Sequence, residues 1–85
     1  MAKFRKQVQQ LALVLHLIET LDHPNADNIA RASGLTERTA RAWIKELREL
    51  GAEISSRKLP TGWAYFVENE FDLANAISAL VKLPK

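Results

Sequence analysis

Two helical patterns lie unusually close together in this chain, and that closeness restricts its fold more than any other feature. Residues 26–33 and 37–50 both read as helices, and only Gly34-Leu35-Thr36 separates them. Asn25 is a suitable N-cap for the first, because its side chain can accept from an amide of the opening turn. Ile29 and Ala30 face inward. Glycine just past a helix end takes the left-handed conformation at little cost, so Gly34 is the expected stop. Thr36 has the chemistry of an N-cap for the second helix, which should end at Gly51. That helix places Ala40, Trp43, Ile44, Leu47 and Leu50 on one side. With so short a join, the two helices must pack against each other, Ala30 must stay small where they approach, and Leu35 fills the corner.

The flanking segments complete a single domain of 85 residues. Phe4, Val8, Leu11, Val14, Leu15, Ile18 and Leu21 recur at helical spacing and predict a long amphipathic helix over residues 3–21. Asp22-His23-Pro24 breaks it, since the residue before proline avoids the helical region. After Gly51 the texture changes. Glu53-Ile54-Ser55-Ser56 and Trp63-Ala64-Tyr65-Phe66-Val67 are rich in strand formers, and residues 57–62 between them read as a turn, giving a β-hairpin. Asn69 or Asp72 would cap a terminal helix at about 71–82, with Leu73, Ile77 and Leu80/Val81 on its buried side, closed by Pro84. The expected architecture is therefore mainly α: a three-helix core, a small β-hairpin and a C-terminal helix.

A helix, a short glycine-containing turn and a second helix form a recurrent DNA-binding unit. Ala30-Arg31-Ala32-Ser33-Gly34-Leu35-Thr36 resembles the helix-turn-helix family. With the hairpin behind it, the chain resembles winged-helix regulators of the biotin-operon-repressor type over about residues 8–67. Gly34-Leu35-Thr36-Glu37-Arg38-Thr39 and Ile44-Lys45-Glu46-Leu47-Arg48-Glu49-Leu50-Gly51 carry most of the likeness. Ser33 departs from it, standing where the family usually has a larger apolar residue. Ala40 departs too, standing where Ile or Val is preferred, with bulky Trp43 nearby to balance it. The resemblance implies a winged helix-turn-helix that binds double-stranded DNA, with the terminal helix outside the shared part.

Charge placement supports that expectation independently. Net charge is only +2, yet residues 31–58 hold seven bases against four acids. At about 100° per residue, Arg38, Arg41, Lys45 and Arg48 share a stripe roughly 80° wide, expected on the far side of the helix from Ile44 and Leu47. In a major groove, residues near the helix start sit deepest, so Arg38, Thr39, Arg41 and Ala42 are the expected base readers. Thr36 and the opening amides would hold a phosphate, and Lys45 and Arg48 would meet the backbone. Arg57 and Lys58, at the start or tip of the hairpin, would reach a minor groove or phosphate. Trp63, Tyr65 and Val67 are expected in the core rather than on nucleobases, and Lys3, Arg5 and Lys6 at a solvated helix end. The competing interpretation is that the stripe is a solvated face, with Glu37–Arg41 and Lys45–Glu49 as ordinary i,i+4 pairs.

Catalysis finds little support. There is no cysteine, His16 and His23 straddle a helix end, no glycine-rich loop is present, and Ser55 and Ser56 have no evident base. No catalytic residue, metal, cofactor or small-molecule substrate is expected. The apolar run Leu11–Ile18 is too short to span a bilayer and lacks a cleavage site after it, so a cytoplasmic location is expected, and the compact architecture suggests a bacterial source. Leu13 and Leu17 form a second apolar stripe on the first helix, to be covered by the terminal helix or by a second copy in a homodimer. The expected function is transcriptional regulation by operator binding. A protein-interaction winged helix is the chief rival, and an RNA or replication-associated factor the next.

Overall fold

The computed structural model describes residues 2–81, with side chains for residues 5–79. The expected positions of Lys3, Phe4, Leu80, Val81 and Pro84 fall outside those described side chains. The elements run α1 (Ala2–Thr20), α2 (Ala26–Ser33), α3 (Glu37–Leu50), β1 (Ile54–Leu59), β2 (Gly62–Val67) and α4 (Leu73–Val81). The protein is mainly helical, with one antiparallel two-stranded hairpin.

Apolar spacing on α1 becomes the centre of the core. Leu11, Val14, Leu15 and Ile18 are buried and meet Ile29 of α2 and Ala40, Ile44 and Leu47 of α3. Ala40 is completely buried, so the small side chain sits where α3 is covered. Half-buried Trp43 packs beside the same core and ties α3 to α1, its indole N–H donating to Gln10 Oε1 at 2.9 Å.

Local hydrogen bonding fixes each helix end. Asn25 Oδ1 accepts from the Asn28 amide at 2.7 Å, and Thr36 Oγ1 accepts from the Thr39 amide at 3.1 Å. Gly34 takes φ 78°, which turns the following amide, that of Leu35, back onto the Ala30 carbonyl 3.1 Å away. A side chain there would meet no neighbouring atom, so the preference for glycine is one of backbone conformation alone. Ser33 completes the turn, its hydroxyl donating to the Ala30 carbonyl and accepting from the Leu35 amide. A larger apolar residue at that position would forgo both bonds.

The hairpin differs from its expected boundaries. β1 continues through Leu59, and only Pro60 and Thr61 lie between the paired residues Leu59 and Gly62. Proline fixes a φ suited to the first turn position, and Gly62 takes φ 124°, so the reversal needs fewer residues than the polar composition of 57–62 suggests. Arg57 and Lys58 are consequently strand residues, paired with Ala64 and Trp63. The hairpin also leans on the α1–α2 connection: the Tyr65 amide donates to the Pro24 carbonyl at 2.8 Å, and Thr61 Oγ1 lies 2.8 Å from His23 Nδ1.

Of the two candidate caps for the terminal helix, Asp72 serves, accepting from the Asn75 amide. Asn69 instead joins the end of α3 to the hairpin, accepting from the Glu53 amide and donating to the Gly51 carbonyl. α4 packs on α3, with Leu73 in the core.

Candidate nucleic-acid interface

On α3 the cationic stripe runs from a flank beside the core, where Arg41 and Arg48 lie, round to the face opposite the core, where Arg38 and Lys45 lie. With about 100° between successive residues, Arg48 falls only about 40° from Ile44, while Arg38 and Lys45 lie further round. The consequence is visible in the contacts. Arg48 Nε donates to the Ile54 carbonyl at 3.0 Å, and its guanidinium lies 6.0 Å from the centre of the Tyr65 ring. Arg48, expected to meet DNA backbone, thus has a partner at the base of the hairpin within its own chain. Arg41 likewise lies beside the hairpin, not opposite the buried residues. It shares a cleft with Ser56, Trp63 and Tyr65.

The hairpin divides its two cations by strand parity. Arg57 lies on the strand face of Ala64 and Phe66, paired with Glu68 and 4.8 Å from the centre of the Phe66 ring. That guanidinium, by hydrogen bonding to the Glu68 carboxylate and by its charge, holds the acid below its ordinary range. Lys58 lies on the other face with Ser56, opposite Trp63. Arg57 is therefore neutralised locally, and Lys58 is the hairpin cation turned to the same side as the Arg41 cleft.

The remaining expected contact residues are arranged as follows. Arg38, Ala42 and Lys45 are exposed on α3, and among the described residues Arg38, Lys45 and Lys58 make no ion pair. The i,i+4 pair Glu37–Arg41 does form, at 3.4 Å between exposed side chains, a geometry worth little in water. Thr36 and half-buried Thr39 are joined hydroxyl to hydroxyl at 3.0 Å, so their side chains fasten the start of α3. The amides of its first turn have no partners inside the helix.

Trp63 is where the structure departs most from sequence expectation. Tyr65 and Val67, on the same face, pack against the core, yet Trp63 is 61% exposed. It sits one alternation nearer the tip, past the helices that cover its neighbours. The signal lay in that alternation combined with the register, which needed the true turn length. Leu13 and Leu17 also separate: Leu17 packs against the core, while Leu13 is 38% exposed.

Fold and site together define a mainly helical domain in which a cationic flank of α3 and one face of a β-hairpin border a common cleft. Among the described residues no helix is long and apolar enough to cross a membrane. Comparison with protein-family models, curated proteins and solved structures finds no match.

Proposed function

We propose that this protein is a winged helix-turn-helix domain that binds double-stranded DNA, acting as a transcriptional regulator in the cytoplasm rather than as an enzyme. One observation carries the reading. The tight α2–α3 turn, built on Gly34 in the left-handed conformation and the Thr36 cap, presents an α3 whose uncovered side carries Arg38, Arg41 and Lys45, and Arg41 shares a cleft with Ser56 and Trp63 of the strand face to which Lys58 belongs. A helix so mounted suits a major groove, and the hairpin is then the wing beside it. Arg38 and Arg41 are the base readers, through bidentate bonds to guanine. Lys45 and Lys58 hold phosphates. Arg48 and Arg57 are left out of this set, because Arg48 is held at the base of the hairpin and Arg57 lies on the strand face away from the Arg41 cleft.

Salt-dependent binding to duplex DNA tests the reading. About four cationic contacts give a log–log slope of roughly −3.6. Arg41→Ala is expected to relax preference at one base pair and cost about 1–3 kcal/mol on the best site. Lys58→Ala should weaken good and poor sites by similar factors and make the slope shallower by about one. Affinity that stays flat as salt rises would replace this reading with a protein-interaction module.

A further inference from the structure

Trp63 is the most exposed large apolar side chain among the described residues, at 61%. Its surroundings are not those of a stray surface residue. Lys58 stands directly across from it, and Ser56 and Tyr65 form another cross-strand pair on the same face. Arg41 of α3 closes the opposite side of the cleft, whose volume is about 200 Å³. Arg48 lies near the Tyr65 ring and links it to α3. Trp63, two hydroxyl-bearing residues and one cation, Arg41, therefore line one small space with no carboxylate among them, and Lys58 flanks it across from Trp63.

We propose that this cleft receives a single unpaired nucleobase, stacked on Trp63, with its phosphate held by Lys58 at the edge of the cleft and Arg41 forming the α3 wall. The inference deepens the duplex-binding reading and rests on it for the docking of α3. A base inside a duplex offers only its edges, because its faces are stacked on neighbours. An open indole face is useful to a base that has left the stack. Ser56 and Tyr65 supply hydroxyls that both donate and accept, which suits a base edge without demanding one particular base. The cleft is smaller than pockets that take drug-sized molecules, which fits one ring system better than a peptide segment. Its net positive lining matches a phosphodiester. The preferred ligand is thus a duplex interrupted by an unpaired nucleotide, with α3 on the paired part.

The test compares three DNAs by fluorescence anisotropy: a fully paired duplex, the same duplex with one bulged thymine, and the same with an abasic site at the bulge. The bulged thymine should bind more tightly than the other two by about 5- to 150-fold, the equivalent of stacking one base on an aromatic ring. Trp63→Ala should erase that preference, leave the paired duplex within about twofold and melt near the parent. Trp63→Phe should retain part of the preference. Arg38→Ala should weaken all three DNAs alike. Equal binding of the three DNAs overturns the proposal. So does a Trp63→Ala variant that weakens paired and bulged duplexes by one factor, since the indole would then be packing on the backbone. Tight, Trp63-dependent binding of the bulged thymine by a protein that ignores the paired duplex would sustain the cleft and reject the duplex reading. Failure to bind any of the three rejects both.

Discussion

Arg48 distinguishes a structural cation from a DNA-contacting one, and replacing it by alanine gives measurable consequences for each role. Its Nε donates to the Ile54 carbonyl at 3.0 Å in a half-buried setting. A hydrogen bond from a charged donor contributes about 1.5–3 kcal/mol, and the lower end applies where water has access. Stacking on Tyr65 at 6.0 Å is at the outer limit for a cation–π contact and adds about 0.5 kcal/mol. A cation in the last turn of a helix adds about 0.3 kcal/mol, roughly offset by the better helix propensity of alanine. The loss is about 2 kcal/mol. A domain of this size shifts by about 4–8 °C per kcal/mol, so Arg48→Ala should melt about 8–16 °C below the parent. The salt slope of DNA binding, measured well below that temperature, should not change. Arg48→Lys should also melt low, because an ammonium cannot reproduce the fork that serves carbonyl and ring together. If Arg48→Ala melted within about 2 °C of the parent while the slope became shallower by about 0.9, Arg48 would be a phosphate contact and the tie to the hairpin would be wrong.

Three further outcomes follow from the same contacts. Leu47 is completely buried among α1, α3 and β1; Leu47→Ala should cost about 2–5 kcal/mol by leaving a cavity, seen as a large drop in melting temperature, and an unchanged melt would contradict the core assignment. Glu68 has its pKa lowered by Arg57, so its contribution is fully present above the ordinary carboxylate value and is lost as pH falls through the lower folded-state value. The melting difference between parent and Glu68→Gln should accordingly be constant near neutrality, begin to shrink below pH 4.5 and vanish only once pH has fallen through the lowered folded-state value; a difference that does not shrink across that acid range means that the ionised pair is not its source. Leu13→Glu should leave stability close to the parent and Leu17→Glu should lower it, because Leu17 alone of the two packs on the core; sedimentation of Leu13→Glu reveals whether a homodimer depends on that face.

The helical part of the fold was legible because its signals are local. Asn25, Gly34, Thr36 and Gly51 each act through hydrogen bonds to backbone a few residues away, so α2 and α3 are bounded by their own sequences. The hairpin was legible in kind but not in extent. Polar residues such as Arg57 and Lys58 are compatible with a turn or with a solvent-facing strand. What decides is the ability of Pro60-Thr61-Gly62 to reverse the chain in so little length. An error of that size matters for strands, because register determines which side chains share a face. It hid the grouping of Ser56, Lys58, Trp63 and Tyr65. The two possible caps Asn69 and Asp72 were equivalent in sequence for a related reason: the Asn69 side chain is claimed by Gly51 and Glu53, and tertiary partners leave no local mark.

The cationic stripe on α3 shows how a correct periodicity can still leave role undetermined. Arg38, Arg41, Lys45 and Arg48 do share one side of the helix, but a stripe about 80° wide is broad enough to run from the edge of the core into open solvent. Position across that width separates the roles. Arg48, nearest the buried edge, is drawn to the Ile54 carbonyl and Tyr65. Arg41 comes next and lines the cleft beside Trp63. Arg38 and Lys45, furthest round, make no ion pair among the described residues. The same division operates on the hairpin, where parity gives Arg57 to Glu68 and Phe66 and leaves Lys58 beside the cleft. Of the two engaged cations, Arg48 ties α3 to the base of the hairpin, and Arg57 joins β1 to the residue that follows β2.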